Sequence, residues 1–237
     1  MLRIEGLTKT YKNGKKAVDS LSLTINPGEI YGFIGHNGAG KTTTMKCVVG
    51  ILEFEAGEIR VKGRSVKDEP IECKRILAYI PDRPDLYLNM TGIKYLKFVA
   101  DICGLERAKR EQGIGKYADI LELTKNLGDL ISSYSHGMKQ KLALISALMR
   151  EPELLMLDEP FVGLDPKASF TLKEQLKAIC DRGGAVFFST HILEVAEKLC
   201  DKIAIIKDGR LMVSGDTDKV RGDMSLENLF LELTDNG

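Results

Sequence analysis

The 237-residue sequence has no excess charge of either sign: lysine plus arginine and aspartate plus glutamate both total 34. No net field draws the chain toward nucleic acid or an anionic membrane, although a local basic patch is compatible with that balance. No apolar run approaches the ~20 residues that a membrane-spanning helix needs. The longest, around Leu142 to Met149, is broken by Ser146, so any role at a membrane must come through a partner. The N-terminus, Met1-Leu2-Arg3-Ile4-Glu5, alternates polar and apolar residues and carries an acid early. That is unlike the apolar core of a signal peptide, and a cytoplasmic location is expected. The five cysteines, Cys47, Cys73, Cys103, Cys180 and Cys200, are odd in number, widely spaced and form no metal-type pair. They are expected as reduced thiols, mostly buried. There is no internal repeat and no low-complexity segment.

What is present is the balance of an ordinary globular protein, 43% hydrophobic and 29% charged. The length suits one large domain or one domain with an inserted subdomain. Leu2 to Leu7 and Val18 to Ile25 read as short alternating strands joined by the turn Lys12-Asn13-Gly14-Lys15, which suggests an antiparallel edge sheet. An apolar strand from Glu29 to Gly35 runs into a glycine-rich loop and then a helix from Lys41 to Gly50. Further strands are expected at Ile59 to Val61 and Leu77 to Ile80. Pro81 and Pro84 then mark a boundary, beyond which Thr91 to Met149 reads as three or four helices. After Pro152, strands at 154–157, 185–189 and 202–206 alternate with helices at 167–181 and 192–199. Such alternation implies a parallel sheet covered by helices. Lys207-Asp208-Gly209-Arg210 is a hairpin turn, and a short polar tail is expected to follow. The expected fold is α/β, with a mostly parallel P-loop core, an N-terminal antiparallel β subdomain and an inserted helical subdomain. The boundaries expected are 1–81, 82–149, 150–215 and a tail at 216–237.

Gly35-His36-Asn37-Gly38-Ala39-Gly40-Lys41-Thr42 matches G-x-x-x-x-G-K-[ST] between a predicted strand and a predicted helix. Glycines let consecutive backbone N–H groups turn toward one centre, the helix N-terminus adds positive potential, and Lys41 brings a charge to the β- and γ-phosphates. Thr42 offers a hydroxyl to Mg²⁺. Gly35, Asn37, Gly38, Ala39, Gly40, Lys41, Thr42 and Thr43 are therefore candidate contacts for ATP. His36 occupies a variable position of the pattern, from which its side chain can point away. Leu154-Leu155-Met156-Leu157 ends in Asp158-Glu159, placing two carboxylates at the C-terminal edge of the sheet, where ligands of such folds bind. Asp158 is the candidate Mg²⁺ holder, directly or through water. Glu159 is the candidate to orient and deprotonate an attacking water.

With Ser135-His136-Gly137-Met138-Lys139-Gln140 preceding that acidic strand, and Gly163-Leu164-Asp165-Pro166 and Ser189-Thr190-His191 following it, the chain resembles the ATP-binding cassette (ABC) family over nearly its whole length. The resemblance implies that Tyr11 stacks on adenine, where its alternative is to close the edge sheet. It implies that Ser135 and the backbone of Gly137 hold the γ-phosphate of a nucleotide bound by a second molecule, where the alternative for Ser135 is a helix cap. Asp165 resembles the family's aspartate that communicates across the dimer, and His191 its switch histidine, catalytic together with Glu159 and Lys41. Two positions depart from the pattern. His136 stands where the family usually has glycine, and Asp82 where it most often has glutamine, still able to offer oxygen to Mg²⁺ but shorter and charged.

The family's shared sites imply an ATP-dependent head-to-tail dimer, with itself or with a similar subunit. The leading expectation is the ATP-binding and hydrolysing subunit of an ABC membrane transporter, peripheral at the inner face of the membrane through separate transmembrane permease subunits. Leu86, Tyr87, Leu88 and Met90 either form an apolar groove for a permease helix or simply pack the helical subdomain. Ser225 to Thr234 resembles the tail of exporter ATPases, which favours export over import. The alternative is a soluble ABC ATPase acting on nucleic acid or ribosomes. No nucleic-acid partner is expected at zero net charge.

Overall fold

The computed structural model describes residues 1–235. Strands β1 (Leu2–Thr10), β2 (Lys16–Ile25), β4 (Ala56–Val61) and β5 (Arg64–Ser65) form an antiparallel sheet in the order β2-β1-β4-β5. The second sheet holds β3 (Ile30–Ile34), β6 (Leu77–Ile80), β7 (Leu154–Asp158), β8 (Ala185–Thr190), β9 (Lys202–Lys207) and β10 (Arg210–Asp216), in the order β10-β9-β3-β8-β7-β6. Its neighbours pair in parallel, except that β10 returns antiparallel along β9 through the tight turn at Asp208 and Gly209, both at positive φ.

Side-chain parity explains how this sheet is covered on both faces. Tyr31, Phe33, Leu154, Met156, Phe187 and Ile206 pack with Met45 and the buried residues of the antiparallel sheet, such as Leu2, Ile4 and Val18. Their alternates, Ile30, Ile34, Leu155, Leu157, Val186, Phe188, Ile203 and Ile205, pack into a second core with the helices on the opposite face. The register then sets chemistry at one edge. Asp158 pairs with Ser189, and Ile34 with Thr190, so the C-terminal ends of β3, β7 and β8 open side by side.

The helices are α1 (Lys41–Val48), α2 (Pro70–Ile76), α3 (Gly92–Ile102), α4 (Arg107–Ile120), α5 (His136–Leu148), α6 (Pro166–Asp181), α7 (Leu193–Leu199), α8 (Thr217–Arg221) and α9 (Leu226–Asp235). Their starts are legible in side chains: Thr91, Ser135 and Asp165 cap α3, α5 and α6 by accepting from the N–H three residues on. Between β6 and β7 the chain is helical and irregular apart from one bridge joining Thr91 and Leu130. Among the described residues no helix is long and apolar enough to cross a membrane.

Several expectations are corrected. β1 and β2 extend beyond the predicted limits, and β5 and α2 have no counterpart in the sequence reading. Residues 216–237 are not a plain polar tail. They contain α8 and α9, with Leu226 and Phe230 buried and Leu229 and Leu233 packed against the same core. Four apolar residues at that spacing mark one face of a helix. The quartet at 86–90 also divides: Leu86 is in the core, Met90 is partly buried, and Tyr87 and Leu88 are exposed.

Candidate nucleotide site

The phosphate loop connects β3 to α1 across a crowded crossing. Gly40 has φ 112°, and a Cβ there would sit 2.4 Å from the Ala17 carbonyl oxygen, so only glycine fits. Lys41, at the first position of α1, is 6% exposed, and its ammonium donates to the carbonyls of Gly35 and His36, the latter at 3.2 Å. Burial pulls this ammonium below its usual range, offset only in part by the charges of Glu159 and Asp158. A cavity of about 210 Å³ opens over the loop. Of the expected residues, Tyr11, Asn37, Gly38, Gly40, Lys41, Thr42, Thr43, Asp82, Asp158 and Glu159 line it.

Asp158 is 1% exposed and both carboxylate oxygens are engaged. Thr42 Oγ1 donates to Oδ2 at 2.6 Å, and the Ser189 hydroxyl donates to Oδ1. The strand register delivers Ser189 to this position. Glu159 follows at φ 51°, a conformation costly for a residue with a side chain and concentrated at functional sites. Its N–H donates to the Ser189 hydroxyl at 3.1 Å. One carboxylate oxygen, Oε2, meets the His191 ring Nδ1 at 2.9 Å and accepts from the His191 N–H at 3.3 Å. The other, Oε1, is buried and has no hydrogen-bond partner among the described residues, and it lies 3.6 Å from the Lys41 ammonium. That separation gives attraction without a hydrogen bond, so Oε1 keeps its lone pairs for a ligand or a water.

At the outer rim, the Tyr11 hydroxyl bonds Thr43 Oγ1 at 3.1 Å while the residue stays 40% exposed, leaving ring area for a planar base. Asp82 is exposed and lines the same cavity, adding a third carboxylate to those of Asp158 and Glu159. The Tyr79 hydroxyl is buried without a hydrogen-bond partner among the described residues, and its acidity is suppressed by burial first and by Asp158 and Asp82 second.

Gly35, Ala39, Ser135, Gly137 and His191 are not among the lining residues. His191 reaches the site through Glu159. Ser135 does not line this chain's cavity and accepts from the Met138 N–H at 3.2 Å at the start of α5. There the His136 ring fills the space over Gly163, which has φ 79°, and Lys141 lies 3.2 Å from Asp165 Oδ2. The turn 163–165 and the start of α5 are therefore tied to one another. The sequence reading missed Lys15 and Ala17, which line the cavity. The signal available was the basic residue closing the turn after Tyr11, whose N–H donates to the Lys15 carbonyl at 2.9 Å.

Residues 18–162 match the family model described as ABC transporter. The chain is 34% identical over 239 residues to the ABC-type transporter ATP-binding protein EcsA of Bacillus subtilis (strain 168), covering 99% of this chain and 96% of that one. It is 35% identical over 213 residues to the bacitracin transport ATP-binding protein BcrA of Bacillus licheniformis, covering 90% of this chain and 68% of that one. A solved structure described as the ATP binding subunit of an ABC transporter superposes with a TM-score of 0.94 at 34% identity, covering 99% of both chains. With the family model spanning more than half of its length, the chain belongs to the ABC transporter family, as one of its ATP-binding subunits and an ATP hydrolase.

Proposed function

We propose that this subunit powers export through separate transmembrane subunits, closing on ATP as a head-to-tail dimer and reopening after hydrolysis. The observation that carries the chemistry is the divided Glu159 carboxylate: Oε2 is held by His191, and Oε1 is buried, without a hydrogen bond among the described residues and 3.6 Å from Lys41. In this reading Lys41 leaves the loop carbonyls for the phosphates, and the N–H groups at the start of α1 take the anion. Oε1 accepts the proton of the attacking water, and His191 keeps the carboxylate turned toward it. Tyr11 offers its ring to adenine. The adjacent oxygens of Thr42 and Asp158, 2.6 Å apart, are the hard donors that suit Mg²⁺, with Asp82 within the same cavity. When bound, Mg²⁺ would neutralise charge on the phosphates.

Ser135 and Gly137 lie outside this chain's cavity, which supports a role toward the nucleotide of a second copy or a similar subunit. Segment 82–149 is the proposed moving subdomain. Its exposed Tyr87 and Leu88, with Tyr87 stacked edge-on to Phe98 at 5.5 Å, give a permease helix an apolar seat beside Asp82. Through its permease the chain would sit at the inner face of the membrane. Export is favoured by the resemblance of Ser225 to Thr234 to the tails of exporter ATPases.

Glu159→Gln tests the chemistry. ATP binding should persist, turnover should fall by two orders of magnitude or more (~10²–10⁴-fold), and a closed dimer should accumulate on sizing columns with ATP. Unchanged steady-state hydrolysis would remove Glu159 from its assigned role.

A further inference from the structure

Helix α9 lies outside residues 18–162 yet touches the phosphate loop. The buried Phe230 sets its ring against the His36 ring, with centroids 4.7 Å apart and planes at 61°, the edge-to-face arrangement that aromatic pairs prefer. α9 is itself anchored. The Leu226 N–H donates to Glu197 Oε2 on α7 at 2.9 Å, and Leu226 is fully buried in the core that also holds Ala196 and Leu199 of α7. α7 begins two residues after His191. One helix therefore spans from the segment carrying His191 to the loop carrying Lys41. His36 is the only ring in the loop, which otherwise has glycine at 35, 38 and 40, and its carbonyl accepts from the Lys41 ammonium.

A loop with three glycines has much freedom to lose when it closes around phosphates. Any group that restrains it beforehand reduces that loss and shows as tighter binding. We propose that Phe230 is a positioning residue of the nucleotide site, gripping His36 from α9 so that the phosphate loop is ordered before ATP arrives. This rests on the reading that the Gly35-to-Thr42 loop binds the phosphates of ATP.

The test uses the full chain, with ATP affinity measured by displacement of a fluorescent ATP analogue, steady-state hydrolysis, and thermal unfolding as the control for folding. Phe230→Leu keeps apolar burial and removes the ring. It should weaken ATP binding and raise KM about three- to tenfold, with kcat and Tm near wild type. Phe230→Tyr keeps the ring and should restore both. In a double-mutant cycle with His36→Ala, the combined loss should be smaller than the sum of the single losses. Wild-type affinity in Phe230→Leu, failure of Phe230→Tyr to restore it, or additive losses in the cycle would overturn the proposal. A wild-type chain that fails to bind ATP would instead sink the underlying reading of the loop.

Discussion

Four of the five cysteines are buried and Cys103 is exposed at the end of α3. Burial pushes the Cys47 thiol up to about 11 and the Cys180 thiol up to about 12, and it drives Cys200 in the same direction. At neutral pH these groups are protonated, and the thiolate is the nucleophile. Iodoacetamide applied to the native protein at neutral pH should therefore give a single adduct, mapped by mass spectrometry to Cys103. Labelling of Cys47 or Cys180 without unfolding would contradict the packing around them. The same scale explains why Glu159 tolerates a φ of 51°. Its N–H is held by the Ser189 hydroxyl and its carboxylate by His191, so the cost of the conformation is met by fixed partners that also aim Oε1.

At the start of helix α5 two roles meet in the capping residue, Ser135. Ser135 caps the helix through the Met138 N–H, and in the proposed function its hydroxyl also faces a partner's γ-phosphate. Ser135→Ala should cost about 1 kcal/mol in denaturant unfolding and also lower hydrolysis. Ser135→Asp should recover the cap while placing negative charge where the phosphate must come, so stability returns and hydrolysis does not. Recovery of both would leave Ser135 only its capping role. The serine was singled out through the resemblance to the family's signature, and the structure shows the role weighed against it, a helix cap. The loop, Asp158 and Glu159 were legible because a strand, a turn and a helix in that order leave backbone N–H groups and carboxylates at one sheet edge. What stayed hidden depends on contacts between distant segments: Ser189 holding Asp158, His136 filling the space over Gly163, and Phe230 against His36. No local pattern encodes such a meeting. α9 was different, since Leu226, Leu229, Phe230 and Leu233 have helical spacing, and the polar residues between them masked it.

At the scale of the whole molecule, the cavity holds the phosphate loop, Asp158 and Glu159 but not Ser135 or Gly137. If those two complete the site of another copy, the two halves of each site belong to different chains, and a mixing experiment distinguishes this from sites contained in one chain. Lys41→Ala and Ser135→Asp should each be inactive as homodimers, because every composite site then carries one defect. In a mixed dimer both defects fall in the same composite site, and the other site receives Lys41 from one chain and Ser135 from the other. Equal mixing should restore roughly a quarter of the wild-type rate, since about half of randomly paired dimers are mixed and each has one intact site. The recovered rate should grow with the concentration of either variant added to a fixed amount of the other. If the mixture stays as inactive as its components while the wild-type chain hydrolyses ATP, either the two sites of a dimer must fire together or the halves are not shared. Trapping one nucleotide per mixed dimer would favour the first, and trapping none would remove Ser135 from the proposed site.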